Sequence, residues 1–239
     1  MIAKYKRVLL KLSGETLGGE AGTGYDAATL ARISSEIRQV CDLGVELAIV
    51  VGGGNIFRGI YAKNLGIERC AADYMGMLAT VMNAIALQDA IEKTGITTRV
   101  QSALEVESVV EPFVLRRGLH HLEKKRVLIL AAGSGNPLFT TDTPAALRAV
   151  ELRANVLMKA TKVDGIYSKD PKKFDDAVKY DELTYEEALE KRLNVMDMTA
   201  FTLCMENDMP IIVFNIRSEG NILKAVTGEK VGSIVRTDK

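Results

Sequence analysis

The sequence predicts an α/β protein: an open, mostly parallel sheet with helices on both faces, in three αβα layers. Short apolar runs rich in Val, Ile and Leu alternate with helical patterns along the whole chain. The runs are apolar without alternation, which is typical of parallel strands that are covered on both faces. Three of them end in glycine-rich turns. No linker, fixed-period repeat or low-complexity segment interrupts the pattern, so we expect one domain over residues 1–239.

The predicted elements follow one another in βαβ order, which produces an open sheet with crossover helices. Continuous apolar, β-branched runs predict strands at residues 7–12, 45–51, 126–132, 155–160 and 210–214. Apolar residues at helical spacing predict helices at residues 27–43, 71–93, 144–153, 185–191 and 199–207. Ligands of such sheets bind beyond the carboxyl ends of the strands, which is where the glycines of this chain collect.

Composition excludes several classes of protein. The 31 basic and 31 acidic residues cancel, so charge gives no reason to expect a nucleic-acid binder or a protein held on an acidic membrane. The three cysteines are far apart and odd in number, which argues against a disulfide framework and against a metal site with cysteine ligands. Unpaired cysteines of this kind are typical of the reducing cytoplasm. The apolar run after the basic N-terminus is too short for a secretory signal. We expect a cytoplasmic protein that is not attached to a membrane.

The segment 74–87, inside the predicted helix 71–93, is apolar on nearly all sides. It is shorter than the roughly 20 residues that cross a bilayer, so no membrane span is predicted. A helix without a polar face has to be buried all round. Either an interface between protomers or a central position in the core of one protomer would bury it. The methionines at 75, 77 and 82 are expected to fill gaps in that packing.

The first two glycine turns predict an anion-binding site, because glycine lets backbone N–H groups approach a phosphate closely. In the first turn, Lys11 precedes Ser13 and Gly14 and places an ammonium group at the end of a strand. In the second turn, three glycines from Gly52 are followed by Arg58, whose guanidinium suits bidentate phosphate binding. An edge strand with a solvated Lys11, or a tight turn with a solvated Arg58, are the structural alternatives.

The third glycine turn leads into a helix at which Thr143 is the predicted N-cap and Pro144 the first helical residue. Such helix N-termini attract anions. Asp142 would repel phosphates unless a cation lies between them. It therefore pairs with Lys11, orients the water shell of a metal ion, or only supports the cap.

The common nucleotide-binding signatures are absent from the sequence. No GxxxxGK[ST] motif is present, so this is not a P-loop protein. A GxGxxA match at residues 22–27 follows no strand, which excludes a dinucleotide site there. His120 and His121 have no Cys or His companions at ligand spacing, so neither a metal site nor a general base is predicted.

Taken together, these motifs resemble the amino-acid kinase family, and within it the bacterial uridylate (UMP) kinases. The resemblance runs along nearly the whole chain and is carried by residues 11–14, 52–59, 72–83, 133–143, 159–165 and 195–197. It implies transfer of the γ-phosphoryl group of ATP to UMP, giving UDP and ADP in de novo pyrimidine nucleotide synthesis. It further implies Mg²⁺ carried by ATP without direct protein ligands, a homohexamer, and GTP and UTP as allosteric effectors.

The resemblance also assigns residues to roles, with the acceptor side mainly in the N-terminal part of the chain and the ATP side mainly in the C-terminal part. The catalytic set is Lys11, Arg58, Asp142 and Asp197. ATP would be bound by Lys11, Leu12, Ser13, Gly14, Gly54, Arg58, Thr161, Tyr167 and Asp170. UMP would be bound by Gly53, Asp73, Ser134, Gly135, Asn136, Pro137, Leu138, Phe139, Thr140 and Thr141. The loop implicated in the GTP response comprises Gly19, Glu20, Ala21, Gly22, Thr23 and Gly24.

Two other functions fit the same fold: a non-catalytic nucleotide sensor or storage protein, and a kinase of this family with a different acceptor. Both phosphate-handling cations, Lys11 and Arg58, are present, which favours the enzyme over the sensor. Three positions depart from the family pattern. Ser134 replaces a common threonine, Asn155 a commonly acidic residue, and Thr23 a common aromatic residue in the loop of the GTP response.

Overall fold

The computed structural model describes residues 1–59 and 64–238, and within them a nine-stranded sheet forms the centre of the protein. The strands are β1 (Arg7–Leu12), β2 (Glu46–Val51), β3 (Thr98–Ser102), β4 (Glu111–Pro112), β5 (Val127–Ala131), β6 (Val156–Thr161), β7 (Ile166–Tyr167), β8 (Lys179–Tyr180), β9 (Glu182–Thr184), β10 (Ile211–Asn215) and β11 (Gly232–Arg236). Their order in the large sheet is β4-β3-β5-β2-β1-β6-β10-β11-β9, and β7 pairs with β8 in a separate antiparallel ribbon. Among the described strands, only the β10–β11 pairing of the large sheet is antiparallel, so the predicted fold class is confirmed.

Helices cover both faces of this sheet. They are α1 (Gly14–Leu17), α2 (Ala27–Asp42), α3 (Arg69–Glu92), α4 (Leu115–Glu123), α5 (Asp142–Glu151), α6 (Tyr185–Glu190), α7 (Met198–Glu206) and α8 (Asn221–Thr227). Leu10 and Leu12 of β1 join α2, α3 and α8 in one hydrophobic core. Leu9, on the opposite side of β1, joins α5, α6 and α7 in the second core. Side chains that alternate between two apolar cores explain why β1 is apolar on both faces.

The register of the central strands brings two lysines side by side. β1 lies between β2 and β6 and is parallel to both. Lys11 is paired in register with Lys159 of β6 and with Val50 of β2. Because the three strands run in the same direction, their carboxyl ends and the turns that follow them meet at one edge of the sheet. Lys11 is therefore in a central strand, and the alternative of an edge strand is wrong.

Most predicted elements are present with ends shifted by one or two residues. The strands β3, β4, β7, β8, β9 and β11 and the helices α1, α4 and α8 were not predicted. Most of them are short, and β3 carries polar residues such as Arg99 and Gln101 that break its apolar run.

The predicted start of α5 is wrong. The helix begins at Asp142 with Thr141 as its N-cap, and Thr143 is the second helical residue. Pro144 still fits the first turn, where its missing N–H has no helical partner to lose. The Thr143 hydroxyl donates instead to Asp197, at 3.1 Å from both carboxylate oxygens.

Helix α3 is buried on one side only. Met77, Ala84 and Leu87 pack into the first core, whereas Leu78 and Met82 are about half exposed, at 50% and 53%. The alternative of a helix buried within one protomer is therefore wrong, and Met82 fills no gap in the core of the protomer. This helix is long and apolar enough to cross a membrane, with a mean hydropathy of 1.3 over its most apolar 18 residues. Its contacts with α2 and β3 make it part of the α/β domain.

Candidate active site

The turns after β1 and β2 are packed against each other at the carboxyl edge of the sheet. A Cβ atom on Gly14 would lie 2.4 Å from the Gly52 carbonyl oxygen and 2.8 Å from the Gly54 nitrogen. A Cβ atom on Gly53 would lie 2.6 Å from the carbonyl oxygen of Gly76 in α3. Side chains at Gly14 and Gly53 are thus excluded by neighbouring backbone. Gly54 has more space, since among the described residues only the Glu15 side chain comes within 4 Å of such a Cβ atom.

Asp142 lies between two ammonium groups. Lys11 Nζ is 3.1 Å from its Oδ1 atom and Lys159 Nζ is 2.7 Å from its Oδ2 atom. Lys159 also donates to the Val195 carbonyl oxygen at 2.8 Å. The pairing of Asp142 with Lys11, one of the predicted alternatives, is therefore present. The carboxylate supplies a counter-charge to two lysines that are paired in register in a largely buried position.

The pKa values of this group reflect both burial and charge. Burial would raise the pKa of Asp142, but the neighbouring Lys11 and Lys159 ammonium groups outweigh it and lower that pKa. For Lys159, burial lowers the pKa, and attraction to Asp142 offsets only part of that effect. Asp142 is therefore a carboxylate at neutral pH and is unsuited to act as a general base.

A second ionic group lies on the other side of the glycine turns. The Glu15 carboxylate bridges Arg58 and Lys162, with N–O distances of 3.1 and 2.5 Å. Arg58 also donates from Nε to the Gly54 carbonyl oxygen at 2.9 Å. The hydrogen bond from Lys162 is the largest cause of the lowered pKa of Glu15. Arg58 is therefore held beside the glycine turn, with part of its side chain still exposed.

Asp197 connects α7 to the turn that precedes α5. It is the N-cap of α7 and accepts from the Ala200 N–H at 2.9 Å. It also accepts from the Thr140 hydroxyl at 2.5 Å, in addition to the bond from Thr143. The carboxylate is thus engaged by hydroxyl and amide groups, and it positions the turn that delivers Asp142.

Asp73 faces the loop between β5 and α5. Its Oδ2 atom accepts from the Leu138 N–H at 2.8 Å and lies 3.1 Å from Arg69 Nε, one helical turn away. Leu138 has a φ of +76°, which is unusual for a residue with a side chain. Asp73 therefore stabilises an uncommon backbone conformation in this loop.

These turns surround an open cavity of about 370 Å³. Of the residues that sequence reasoning assigned, Gly53, Gly54, Arg58, Asp73, Ser134, Asn136, Phe139, Thr140 and Thr141 line it. Gly135, Pro137 and Leu138 are in the same loop but outside this lining. The carboxyl edge of the sheet thus combines glycine turns, a guanidinium group and hydroxyls around one space, a combination that suits a phosphorylated ligand.

The residues predicted for the adenosine part of ATP lie outside this lining. Thr161 ends β6, and its hydroxyl donates to the Val163 carbonyl oxygen at 2.7 Å. Tyr167 donates to Asp164 at 2.7 Å, and Asp170 accepts from the Lys172 N–H at 3.0 Å. A second cavity of about 210 Å³ lies beside the Glu15–Lys162 ion pair and is lined in part by Glu15, Gly19, Arg32, Lys162, Ile216 and Arg217. Thr161, Tyr167 and Asp170 are not among its lining residues.

Sequence reasoning missed Lys159, Lys162, Glu15 and a pair of buried asparagines. Lys159 has the same feature that drew attention to Lys11, a charged residue inside an apolar strand, and could have been found by it. Asn55 and Asn83 exchange hydrogen bonds between their side chains, and Asn83 Nδ2 also donates to the Gly52 carbonyl oxygen at 2.7 Å. Only the fold brings these two amides together.

Residues 1–59 and 64–238 contain no group of three His, Cys, Asp or Glu side chains arranged to hold a metal ion. His121 instead lies 3.1 Å from Glu111, at the far side of the sheet in β4 and α4. Both oxygens of Asp142 face lysines, so this carboxylate organises cations of the protein.

Comparison with known proteins shows the same fold and related sequences. A sequence model of the Amino acid kinase family matches residues 6–215. A UMP kinase from Bacillus anthracis is 37% identical with a TM-score of 0.95, covering 98% of this chain and 97% of that one. A UMP kinase from Ureaplasma parvum is 35% identical with a TM-score of 0.93, covering 98% and 100%. A uridylate kinase from Archaeoglobus fulgidus is 30% identical with a TM-score of 0.71, covering 95% and 99%.

Proposed function

The chain belongs to the amino acid kinase family, and on that premise we propose that it is a UMP kinase, which transfers the γ-phosphoryl group of ATP to UMP and gives UDP and ADP. The observation that carries the proposal is the similarity to two UMP kinases over 98% of the chain, with TM-scores of 0.95 and 0.93. The convergence of Lys11, Arg58 and the glycine turns at one edge supports it, because phosphoryl transfer depends on positioned cations and amides.

The acceptor does not require a general base. A nucleoside monophosphate has a second pKa of about 6 and is mostly a dianion at neutral pH, so its oxygen is ready to attack. What the protein has to overcome is the repulsion between two phosphates held in line. Lys11, kept in place by Asp142, and Arg58, kept in place by Glu15, are the cations that would stabilise the charge of the transferred group.

We assign the open cavity to UMP and the turns after β1 and β6 to ATP, with Gly54 and Arg58 where the two substrates meet. Asp73 and the loop 134–141 would bind UMP, with Asp73 accepting hydrogen bonds from ribose hydroxyls. Residues 11–14, Gly54 and Arg58 would hold the ATP phosphates, while Thr161, Tyr167 and Asp170 would hold the adenosine end.

Mg²⁺ would arrive with the ATP phosphates rather than on protein ligands. The donor set fits this arrangement, because the carboxylates beside the glycine turns are engaged by cations of the protein, Asp142 by Lys11 and Lys159 and Glu15 by Arg58 and Lys162. When bound, the ion neutralises part of the charge on the β- and γ-phosphates. Lys11 and Arg58 would complete that neutralisation from the protein side.

GTP and UTP would regulate the enzyme, with residues 19–24 involved in the GTP response. A Cβ atom on Gly22 would lie 3.8 Å from both Arg58 Nη2 and Lys162 Nζ. The Gly24 N–H donates to the Asn55 carbonyl oxygen at 2.9 Å, and Asn55 Nδ2 donates back to the Gly24 oxygen at 2.8 Å. A change in this loop would therefore reach the second glycine turn directly.

The active form would be a homohexamer in the cytoplasm. The outer face of α3 exposes Tyr74, Met75, Leu78, Met82 and Ile85 as a continuous apolar stripe. Stripes of this kind mark surfaces that another protein covers. In a homohexamer, a second copy of the chain would cover this stripe. The three free cysteines suit a reducing compartment.

An acceptor comparison tests the proposal. The purified chain would be incubated with MgATP and, separately, UMP, CMP, acetylglutamate or carbamate, and both ADP and the phosphorylated product would be quantified. We expect UDP formation with UMP at a kcat/KM at least tenfold above that with CMP and no turnover of the two carboxylates. Turnover confined to a different acceptor, or tight binding of UMP and ATP without ADP formation, would contradict the proposal. The second result would favour the nucleotide sensor.

A further inference from the structure

One side chain of α3 holds the backbone at the exit of β5. The Thr80 hydroxyl accepts a hydrogen bond from the Ala132 N–H at 2.6 Å, although the two residues are 52 positions apart. Thr80 is buried, with 6% of its surface exposed, and Ala132 is fully buried. From this contact we propose that Thr80 is a positioning residue for the UMP half of the site.

Ala132 requires such a support because of its backbone conformation. Its φ of +60° is in the left-handed region, which residues with a Cβ atom rarely adopt. Gly133 follows with a φ of +57°, and the Gly135 N–H closes the turn on the Ala132 carbonyl oxygen at 3.0 Å. A residue held in this region depends on the surrounding structure to keep it there.

The Thr80 hydroxyl is oriented for this task. It donates its proton to the Met77 carbonyl oxygen of the same helix at 2.7 Å, which leaves its lone pairs free to accept from Ala132. Without the hydroxyl, the Ala132 N–H would remain unpaired in a buried position, a costly state for an amide. The turn could then relieve both the unpaired amide and its left-handed φ by moving.

Movement of this turn would affect the acceptor half of the site first. Gly133, Ser134 and Asn136, which follow Ala132 directly, line the cavity that we assign to UMP, and so does Thr80 itself. The residues that we assign to the adenosine end of ATP are at the end of β6 and beyond it, and none of them lines this cavity. A defect in the Thr80 contact should therefore raise the KM for UMP while leaving the KM for ATP nearly unchanged.

The inference rests on the proposed function and is tested with isosteric variants of the full-length chain. Thr80→Val keeps the shape but removes the hydroxyl, and Thr80→Ser keeps the hydroxyl. Thr94→Val is the matched control, because Thr94 makes the same bond to a carbonyl oxygen three residues earlier, at 2.6 Å to Ile91, but receives no amide from the site. Steady-state kinetics with each substrate varied separately would be combined with hydrogen exchange of the Ala132 amide.

For Thr80→Val we expect a KM for UMP raised roughly tenfold, a KM for ATP within about twofold, and an Ala132 amide that exchanges at least tenfold faster. Thr80→Ser and Thr94→Val should stay within about twofold of the wild type in all three quantities. If Thr80→Val does not fold, Thr80→Ala replaces it with the same expectations.

An unchanged KM for UMP in Thr80→Val, an equal loss in Thr80→Ser, or equal effects on both substrates would overturn the assignment of Thr80. A wild-type chain that does not phosphorylate UMP would overturn the proposed function itself, and the role of Thr80 with it. The two outcomes can be distinguished, because the role of Thr80 is tested by comparing the variants with the wild type, whereas the proposed function is tested by the activity of the wild type itself.

Discussion

Asn55 and Asn83 donate hydrogen bonds to each other's side-chain oxygen atoms, at 2.7 and 3.1 Å, in the interior of the protein. Asn55 lies in the turn after β2, and Asn83 is a fully buried residue of α3. Because Asn83 also donates to the Gly52 carbonyl oxygen, the pair fixes the glycine turn to the helix. The side-chain N–H groups of both asparagines thus have acceptors, and a buried polar pair is stable only when its donors are paired in this way.

Asn83→Ala should reduce the free energy of unfolding by about 1–3 kcal/mol, because it leaves polar groups of Asn55 and Gly52 unpaired in the core. The double variant Asn55→Ala/Asn83→Ala should lose less than the sum of the single variants, with a coupling energy of about 0.5–3 kcal/mol. Urea unfolding measures all three. Asn207→Ala, which removes an exposed amide just after the end of α7, is the control and should change stability by less than about 0.5 kcal/mol. Strict additivity would contradict the pairing.

Lys11→Met should lower kcat by about 10²–10³-fold, while the dissociation constant for UMP changes less than about threefold. The physical reason is that the Lys11 ammonium acts on charge that develops on the transferred group, and the Met side chain preserves the volume. Stopped assays of UDP formation and calorimetric titration with UMP separate the two quantities. The exposed Lys6→Met variant is the matched control. Full turnover by Lys11→Met would remove Lys11 from the catalytic set.

Asp73→Asn should raise the KM for UMP about tenfold and leave the KM for ATP within about twofold, since a neutral amide accepts from ribose hydroxyls less strongly than a carboxylate does. The amide oxygen can still accept from the Leu138 N–H, so the loop should keep its conformation. Asp89→Asn, on the exposed surface of the same helix, serves as the control. An effect on ATP alone would place the acceptor in a different part of the site.

The stability supplied by Asp142 should depend on pH in the acid range. Its pKa in the folded protein is lowered from an ordinary value of 3.8, so its contribution is complete above that value and is lost as the pH falls below it. Asp142→Asn leaves Lys11 and Lys159 facing each other without a counter-charge. Its deficit in unfolding free energy should therefore be largest at neutral pH and narrow below about pH 4.

Urea titrations of both proteins between pH 3 and pH 7 measure that deficit. Asp175→Asn, at an exposed position, should show no difference from the wild type that depends on pH. A deficit for Asp142→Asn that stays constant across the range would mean that the carboxylate is not held by the two lysines.

Leu78→Glu should separate copies of the chain, because it places a charge in the middle of the apolar stripe of α3. Sedimentation velocity should show a smaller assembly than the wild type, while circular dichroism shows the same helix content. Val178→Glu changes an equally exposed apolar residue elsewhere and should leave the assembly intact. A hexamer that persists in Leu78→Glu would mean that the copies associate through another surface.

A structural feature could be predicted from the sequence when it leaves a pattern in the local residues. The strands β1, β2, β5, β6 and β10 were predictable, since burial on both faces makes them continuously apolar. The approach of Lys11 to Asp142 was among the alternatives considered, because an ammonium group in a buried strand needs an anion. Lys159 was overlooked although it shows the same pattern.

Other features depend on contacts that have no local pattern. Thr80 and Asn83 look like ordinary polar positions in an apolar helix, and only the packing of α3 against β2 and β5 gives them partners. The ends of α5 were misjudged because Thr141 and Thr143 are equally good caps by composition. The half-exposed state of α3 could not be derived either, since its apolar residues surround the helix and do not mark which side faces the sheet.

Helix α3 has two sides with different tasks: its inner side holds Gly53, Asn55 and Ala132 in place, and its outer side carries the apolar stripe. A small molecule that displaced the second copy from the outer side would thus act on the helix that supports the site, without competing with a nucleotide. The potency of such a compound would not depend on the ATP concentration in the cell, whereas an inhibitor of the phosphate pocket has to compete with ATP.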